Sequence, residues 1–516
     1  MRRTAAFAPD TTLQTMPHPL NFGATLKTNN MQSTEWLLVI VPTIYLVLIQ
    51  FKNMALNKAY ILGGLISILL IHLVAHGYRW QMIPGYLLWI LAAIAAIRQR
   101  PKPRRNLFKV LTLTGLVMLF VLGIFFPSVL PVFDLPTPTG PYTVGTKDIA
   151  LELDRPEVIT PDESDRRKIM VKAWYPSRSS DGNMDPYADR AGREGFARKY
   201  GLPSSTFNYL NKVETHVYRN IPVADEQFPI LIFSHGYHSK ANGYYALLSE
   251  IVSHGYVVFT VNHTYESTGS TFPDGTKAFF DNQYAQDIQV DTWETVEPAI
   301  ASFKENLSFE ERHPIVKKAL LNYFVKDMVA RWAHDLTDVI DYLEPWNNSG
   351  FFQGNLNVAE LGVFGHSRGG GAAGQSLLMD DRIKAGANLD GIQWGPLVDT
   401  MFQQPFLYIS SDWPEEKEDL NQHVYINKSK DVFHEGRILG TGHSSFMDIP
   451  FMVPVQAVNQ AGSIDPQKGI EIASSAVKVF FDRHLKHQDA DVTRVSSKYE
   501  ALQLTTYTGN LAEGNH

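Results

Sequence analysis

The chain has 516 residues, 44% of them hydrophobic, and a formal net charge of −7, which leaves room for one large core or two ordinary ones. It contains no cysteine, so disulfides, thiolate zinc sites and cysteine nucleophiles are excluded. Residues 1–140 carry 12 Lys/Arg and 3 Asp/Glu, whereas the remaining residues carry 34 and 50. The two parts therefore suit different environments, and the lack of a basic, aromatic-interleaved surface argues against nucleic acid as a partner.

Four apolar runs dominate residues 35–127, after a polar N-terminal tail at 1–34 that lacks the apolar core of a signal peptide. The runs are Trp36–Phe51, Ala59–Gly77, Trp80–Ile97 and Leu107–Phe126. Each approaches the roughly 20 residues that a helix needs to cross about 30 Å of hydrocarbon, and each is apolar on all sides instead of along one stripe. The sequence therefore predicts a transmembrane region of about four helices. Met31, just before the first run, is an alternative start.

The loop between the third and fourth runs is strongly basic, with Arg98, Arg100, Lys102, Arg104, Arg105 and Lys109. Short loops rich in Lys and Arg stay in the cytoplasm, so everything after Phe126 is expected outside it. We therefore expect an integral protein of the plasma (inner) membrane with an extracytoplasmic C-terminal domain. The runs are expected to lack paired intramembrane charges, so anchoring is a simpler role for them than transport. His72 and His76 are expected to make helix-edge or interhelical hydrogen bonds.

A proline-rich stalk is predicted at 128–146, because its prolines favour an extended chain. From 147 to 510, short β-rich runs alternate with helical patterns, which is typical of a mostly parallel sheet covered by helices on both faces. The predicted strands are Ile149–Leu153, Ile169–Trp174, Pro229–Phe233, Tyr256–Val261, Leu361–Phe364, Lys384–Leu389, Pro405–Ser410 and Arg437–Leu439. Residues 264–327 are too long for a plain loop and are predicted to form a cap.

The stretch Gly362–Ala373 reads GVFGHSRGGGAA, in which an apolar strand runs into a glycine-rich turn and then a helix. This is G-x-S-x-G in the strand–turn–helix context of a nucleophile elbow. The glycines two residues before and after Ser367 allow a tight bend, which leaves the serine hydroxyl at the helix N-terminus. There the helix dipole and the N–H of Arg368 face any oxyanion that forms. Ser367 is therefore the predicted nucleophile.

A serine nucleophile needs a base and an acid, which follow such an elbow in the order acid, then histidine. Asp390 lies just past a predicted strand in ANLDGIQWG, and His443 lies in a turn past the last strand in LGTGHSSFMD. Asp412, after the next strand in YISSDWP, is the alternative acid. His434 is the alternative base, but it precedes the last predicted strand in VFHEG, where an exposed loop histidine is the ordinary interpretation.

The second N–H of an oxyanion hole usually comes from the loop after the third strand. PILIFSHGYHSKANGYY supplies a strand followed by a His-Gly turn, which makes the N–H of Tyr237 the candidate donor beside that of Arg368. Four histidines could indicate a metal site instead, but no carboxylate accompanies them at ligand spacing; they are His235, His238, His254 and His263. The sequence therefore predicts neither a metal nor a cofactor.

The chain resembles the α/β-hydrolases similar to plasma, calcium-independent platelet-activating factor acetylhydrolase. The resemblance rests on GPYTVGT, IMVKAWYPS, FSHGYHS, SHGYVVFTVNH, GHSRGG, LDG, GTGHSSF and GSIDP…VKVFFDRHL, in this order over residues 140–486. It implies an α/β-hydrolase fold with a mostly parallel central sheet, and metal-independent cleavage of short or oxidised acyl chains from phospholipids. Carried over to this sequence, the implied site comprises a triad and two oxyanion-hole amides: Ser367, Asp390 and His443, with Tyr237 and Arg368.

We therefore expect a membrane-anchored serine esterase for short-acyl esters, with an ester or phospholipid substrate and the lipid bilayer as its partners. Aromatic residues of the predicted cap favour an apolar pocket with a limited acyl slot; they are Phe272, Phe279, Phe280 and Tyr284. GHSRGGG is also similar to bacterial polyester and cutinase-like hydrolases, which leaves that substrate class open. A catalytically silent hydrolase-like module for adhesion or sensing is a further alternative, although inactive relatives usually lose a triad member.

Overall fold

The computed structural model describes residues 31–51, 57–98, 106–289, 292–412, 415–426 and 429–508. The first 30 residues of the predicted tail lie outside the described residues, as do residues 99–105 of the basic loop. The described chain divides into two compact units, one built from apolar helices and the other around a β-sheet.

The helical unit comprises the described residues of Phe22–Asp134 together with Ile449–Asn459. Its helices are α1 (Ser33–Phe51), α2 (Lys58–Ala75), α3 (Ile83–Arg98), α4 (Asn106–Val129) and the short α14 (Ile449–Met452) and α15 (Gln456–Asn459). The four long helices are long and apolar enough to cross a membrane, α3 together with the short turn before it. At most 39% of the residues in any of these four segments are buried, so their outer surface is apolar. They coincide with the four predicted runs.

A buried polar cluster joins the long helices, and its ion pair lies next to, not within, the runs that were predicted to lack paired charges. Glu35 in the first turn of α1 forms an ion pair with Arg79, and their side chains are 0% and 1% exposed. The two residues lie far apart in the chain, at the ends of apolar runs, where sequence inspection does not pair them. His72 of α2 lies 3.3 Å from Thr34 Oγ1 and 2.9 Å from the Tyr86 hydroxyl, so its expected interhelical hydrogen bonds are present.

The second unit comprises Leu135–Asp448 and the described residues of Gln460–His516. Its strands are β1 (Thr143–Pro156), β2 (Arg166–Ser177), β3 (Val217–Arg219), β4 (Phe228–Ser234), β5 (Val257–Asn262), β6 (Gly269–Thr271), β7 (Lys277–Phe279), β8 (Leu356–His366), β9 (Ile383–Leu389), β10 (Phe406–Ser410), β11 (Val432–Ile438) and β12 (Leu502–Thr508). Ten of them form one sheet in the order β12-β11-β10-β9-β8-β4-β5-β2-β1-β3. Neighbouring strands from β5 to β11 in this order are parallel, whereas β2 and β12 run antiparallel to their neighbours.

Helices cover the sheet and supply much of its core. They are α5 (Arg190–Lys199), α6 (Tyr245–Ser253), α7 (Asn282–Asp287), α8 (Glu297–Ala301), α9 (Phe309–Asn322), α10 (Val325–Asp341), α11 (Leu343–Asn348), α12 (Arg368–Ser376), α13 (Glu415–Tyr425), α16 (Pro466–His484) and α17 (Val492–Lys498). Every residue of β4 and β5 is buried, as expected for parallel strands with both faces covered. One stripe of α10 packs into this core, with Trp332 and Leu336 fully buried.

The sheet topology brings the loops of the candidate site together. Strands β4, β8, β9 and β10 are parallel neighbours, so the loops after their carboxyl ends meet at one edge of the sheet, the edge where α/β proteins bind ligands. The segment predicted as a cap, 264–327, contains the β6–β7 hairpin and α7, α8 and α9. Of the strands missed from the sequence, β12 is a sheet edge whose residues are mostly exposed, so its apolar pattern is weak.

Candidate active site

Ser367 lies at the sharp bend between β8 and α12. Its backbone has φ 57° and ψ −128°, a strained conformation that costs on the order of 1–3 kcal/mol. The bend requires glycine on both sides: a Cβ on Gly365 would overlap the backbone of Gly369, and a Cβ on Gly369 would overlap the carbonyl of Ser234. The hydroxyl is thereby held at the N-terminus of α12, where the first N–H groups have no intrahelical acceptor.

The structure brings the three predicted triad residues into one hydrogen-bonded chain. His443 Nε2 lies 3.0 Å from Ser367 Oγ, and His443 Nδ1 lies 2.6 Å from Asp390 Oδ2. The Asp390 side chain is fully buried, whereas that of His443 is 26% exposed. With Asp390 ionised, Nδ1 carries the proton and Nε2 accepts from the serine hydroxyl. This is the arrangement in which a histidine can take the proton of a serine.

Ser411 orients the Asp390 carboxylate. Its N–H donates to Oδ1 at 2.8 Å, and its Oγ lies 2.9 Å from both carboxylate oxygens. Asp390 has a positive φ of 57°, and its N–H donates to the carbonyl of Ile409 at 2.7 Å. Sequence analysis missed Ser411, although its place directly after β10, the strand beside β9, is a signal that could have found it.

The alternative acid and base lie elsewhere. Asp412 Oδ2 accepts a hydrogen bond from the N–H of Gly440 at 2.9 Å, so this carboxylate holds the turn that precedes His443. His434 lies inside β11, is 8% exposed, and has its Nδ1 2.9 Å from Thr506 Oγ1. The expectation of an exposed loop histidine is therefore wrong, because β11 begins at Val432, before His434, and pairs with β12 along this segment.

The loop after β4 lies against the nucleophile. A Cβ placed on Gly236 would be 3.3 Å from the Cβ of Ser367, so glycine permits this close approach. The guanidinium of Arg368 covers the ring of Tyr237 at 3.8 Å from its centroid. The two residues whose amides were predicted to form the oxyanion hole are therefore in contact with each other beside Ser367.

One of the predicted cap aromatics lies at this loop. The ring of Phe280 stacks on His238, with centroids 3.7 Å apart, and lies 5.2 Å from the ring of Tyr237. Phe279 instead lies under the guanidinium of Arg198, at 4.0 Å. Phe280 is thus the cap residue whose described contacts place an apolar wall next to the candidate site.

A second Ser–His–Asp arrangement lies at the end of β4, beneath the loop. Ser234 Oγ is 2.8 Å from His263 Nε2, and His263 Nδ1 is 2.7 Å from Asp335 Oδ2. All three residues are 0% exposed, and Arg167 binds Asp335 at 2.7 Å. An ester cannot reach a fully buried hydroxyl, so this arrangement anchors the strand end. The carboxylate that binds His263 lies 72 residues along the chain. The expectation that no carboxylate lies at short spacing from these histidines is wrong for His254, which is 3.0 Å from Glu250, four residues before it.

Burial keeps several histidines of this region neutral. Burial, reinforced by the nearby His443, lowers the pKa of His366 well below its usual value. Burial also lowers the pKa of His235 to about 3 and that of His238 to about 3. It lowers the pKa of His263 as well, although the Asp335 carboxylate opposes the shift. These imidazoles therefore add no positive charge beside the loop after β4.

Within the part of the chain that the structure describes, one group of three side chains lies close enough to hold a metal ion: His366, Asp390 and His443. Their ligand atoms are already engaged. The two nitrogens of His443 face Ser367 and Asp390, and those of His366 face the Tyr244 hydroxyl and the His443 carbonyl. A metal ion would have to replace these hydrogen bonds, so the donor set fits a proton-transfer site better than a metal centre.

Residues 129–503 match the model of the family described as platelet-activating factor acetylhydrolase, isoform II. The platelet-activating factor acetylhydrolase of Cavia porcellus is 23% identical over 380 residues, which cover 68% of this chain and 78% of that protein. An Arthroderma benhamiae protein named "Probable 1-alkyl-2-acetylglycerophosphocholine esterase" is 29% identical over 163 residues, 27% of this chain and 42% of the relative.

Among solved structures, a ferulic acid esterase from Streptomyces cinnamoneus is similar in fold. Its TM-score is 0.56 at 23% sequence identity, over 72% of this chain and 99% of that one. The shared sheet agrees with the α/β-hydrolase fold that the strand order describes. Because the family model matches most of the chain, the protein belongs to the platelet-activating factor acetylhydrolase, isoform II, family and is a carboxylic ester hydrolase.

Proposed function

We propose that this protein is a membrane-anchored serine esterase in which Ser367 is the nucleophile, His443 the base and Asp390 the acid. The proposal rests on the hydrogen-bonded chain from Ser367 Oγ through the imidazole to the buried carboxylate. As Oγ attacks the ester carbonyl carbon, Nε2 takes the hydroxyl proton. Asp390 Oδ2 stabilises the imidazolium that forms, and Ser411 keeps the carboxylate in place.

The N–H groups of Tyr237 and Arg368 bind the oxyanion of the tetrahedral intermediate. Their place beside Ser367 supports this role, because donors fixed before reaction stabilise developing charge without reorganising. The imidazolium then gives its proton to the leaving alcohol, and the C–O bond breaks to leave an acyl-serine. Water enters, loses a proton to His443 Nε2 and attacks the acyl carbon. The acyl C–Oγ bond then breaks as the imidazolium returns its proton to Ser367 Oγ, which releases the acid and restores the serine hydroxyl.

The proposed substrates are carboxylic esters with short acyl chains, including the sn-2 ester of glycerophospholipids. The family and the name of the Arthroderma relative, an esterase for a 2-acetyl phospholipid, support this choice. The wall formed by Phe280 next to Tyr237 supports a short acyl slot. Longer chains are expected to gain about 0.8 kcal/mol per buried methylene only until that slot is full.

The four apolar helices are proposed to anchor the enzyme in the plasma (inner) membrane. Their length, hydropathy and apolar outer surface support a transmembrane arrangement. The basic residues at 98–109 support a cytoplasmic position for this loop and an extracytoplasmic position for the sheet-containing unit. Protease added to intact spheroplasts should therefore digest the C-terminal unit, and protection until lysis would reverse this orientation.

A substrate series tests the proposed specificity. The kcat/KM of the detergent-solubilised full chain on p-nitrophenyl esters should be highest for acetate to butyrate and fall for longer chains. A 1-alkyl-2-acetyl phosphocholine lipid should be cleaved faster than its 2-palmitoyl counterpart. A maximum at palmitate would indicate an ordinary lipase and contradict the short slot. Hydrolysis of an aliphatic polyester without hydrolysis of either phospholipid would favour the cutinase-like alternative.

A further inference from the structure

The imidazole of His366, the residue before the nucleophile, takes no part in the proton transfers described above. It is 1% exposed. Its Nδ1 lies 2.9 Å from the hydroxyl of Tyr244, and its Nε2 lies 3.0 Å from the carbonyl oxygen of His443. The same Tyr244 hydroxyl accepts a hydrogen bond from the N–H of Gly236 at 2.9 Å. One continuous chain of hydrogen bonds therefore runs behind Ser367.

The donors and acceptors in this chain have one consistent assignment. A carbonyl oxygen only accepts, so His366 Nε2 must carry a hydrogen and donate it to His443. In a neutral imidazole Nδ1 is then unprotonated and accepts from the Tyr244 O–H. The N–H of Gly236 only donates, so it donates to the Tyr244 oxygen. The lowered pKa of the buried His366 imidazole keeps it in this neutral form, and protonation of Nδ1 would oppose the Tyr244 hydrogen.

The two ends of the chain are parts of the proposed catalytic machinery. Gly236 directly precedes Tyr237, whose N–H is the proposed oxyanion donor, and the other end is the backbone of the proposed base. The His366 and His443 rings also pack at 4.6 Å between centroids. A Cβ on Gly236 would be 3.3 Å from both His366 Nδ1 and Ser367 Cβ, so this region leaves little room for any of the parts to shift.

We infer that His366 is a positioning residue whose two ring nitrogens fix the distance between the oxyanion loop and the backbone of His443. The inference rests on the proposed triad mechanism and adds to it a link between the loop and the base. In the transition state the loop binds the oxyanion while His443 holds the proton, so a change in the distance between the loop and His443 lowers kcat. Binding of the substrate in the ground state depends much less on this distance.

Three substitutions in the full-length protein test the link. His366→Phe keeps a planar ring but removes both hydrogen bonds, and we expect kcat to fall about 100-fold with KM changed less than about threefold, because a misplacement of about 1 Å can cost this much. His366→Gln offers one acceptor and one donor at a spacing similar to that of the two ring nitrogens, and should restore at least about a tenth of wild-type kcat. Tyr244→Phe should lower kcat about tenfold or more.

The double variant Tyr244→Phe/His366→Phe should be no slower than His366→Phe, because the two residues act through one chain. Phe446→Leu is the matched control: its ring packs 5.7 Å from that of His366 but makes no hydrogen bond to it. We expect this control to lower thermal stability and leave kcat within about threefold of wild type.

Equal kcat for the Phe and Gln variants of His366 would overturn the inference, as would multiplicative losses in the double variant or an effect confined to KM. Should His366→Phe fail to fold, His366→Gln and Tyr244→Phe still test the link. In that case a kcat for His366→Gln below about a hundredth of wild type, or an unchanged kcat for Tyr244→Phe, would overturn the inference.

Ser367→Ala is measured in parallel, because it tests the proposed mechanism separately from the link. Full activity in Ser367→Ala would refute the proposed mechanism, whereas an inactive Ser367→Ala with an unaffected His366→Phe would refute the link alone.

Discussion

Replacing Asp335 by asparagine removes the central charge of the buried network at the end of β4. Its carboxylate accepts hydrogen bonds from Arg167 Nη2 and Nε at 2.7 and 3.1 Å and from His263 Nδ1 at 2.7 Å. The side chains of Asp335 and Arg167 are both 0% exposed. Breaking a buried ion pair by removing one partner costs about 3–5 kcal/mol, because the other charge stays buried. Arg167 keeps Glu157 as a partner at 2.8 Å, so we expect Asp335→Asn to lower the free energy of unfolding by about 3 kcal/mol.

The free energy of unfolding of the full-length protein in detergent, from urea titration followed by tryptophan fluorescence, measures this loss. Asp338→Asn is the control, since Asp335 and Asp338 both pair with Arg155, Asp338 at 2.8 Å, but the side chain of Asp338 is 27% exposed. This substitution should lower the free energy of unfolding by less than about 1 kcal/mol. A free energy of unfolding of Asp335→Asn within about 1 kcal/mol of wild type, which is the upper end of what an exposed ion pair contributes, would refute the anchoring role.

Ser234→Ala should lose stability and keep activity. A stable but inactive Ser234→Ala protein would show that the buried arrangement takes part in the chemistry.

Three further predictions concern the acid, the buried histidines and the helical unit. Asp390→Asn should lower kcat on p-nitrophenyl acetate about 10⁴-fold, whereas Asp412→Asn should cost less than about tenfold, and the reverse order would move the acid to the loop after β10. Burial lowers the pKa of His235 from 6.5 to about 3. Between these pH values the unfolded chain binds a proton at His235 and the folded chain does not, so the free energy of unfolding decreases as the pH falls from 6.5 towards 3. The loss of unfolding free energy from this group reaches about 2 kcal/mol at pH 5. In urea titrations, the free energy of unfolding of His235→Gln should change less steeply with pH than that of wild type, by the equivalent of up to one proton. An unchanged slope would mean that the imidazole is protonated in the folded protein. Glu35→Gln should lower the unfolding free energy of the protein in detergent by about 3 kcal/mol, because it removes the buried carboxylate charge opposite Arg79, which keeps the carbonyl of Leu130 as an acceptor. A protein as stable as wild type would show that the pair is open to water.

Much of the fold could be predicted from local patterns. The four apolar runs became the four long helices, and each of the eight predicted strands overlaps a strand of the sheet. The apolar stripe of α10 is a signal of the same kind, because Trp332 and Leu336 recur on its buried face. These signals are local, since apolar periodicity within one segment reports which face that segment buries.

The supporting contacts of the site could not be predicted in the same way. The hydrogen bonds from Ser411 to Asp390, Tyr244 to His366 and His366 to His443 join residues 21, 122 and 77 positions apart. A sequence does not say which distant loops meet. The Glu35–Arg79 pair was missed for the same reason, with 44 residues between its partners. His434 was assigned to a loop because it precedes the last predicted strand, although β11 begins at Val432 and pairs with β12.

The most direct test of the proposed mechanism is covalent labelling by a fluorophosphonate, which phosphonylates an activated serine. After the full-length protein is incubated with the probe, the modified residue is identified by peptide mass spectrometry, and labelling rates are compared for wild type, Ser367→Ala, His443→Ala and Ser234→Ala. We predict one adduct, on Ser367, no labelling of Ser367→Ala, labelling of His443→Ala slower by at least about 10³-fold, and wild-type labelling of Ser234→Ala. An adduct on another serine, or wild-type labelling of Ser367→Ala, would contradict the assignment of Ser367 as the nucleophile.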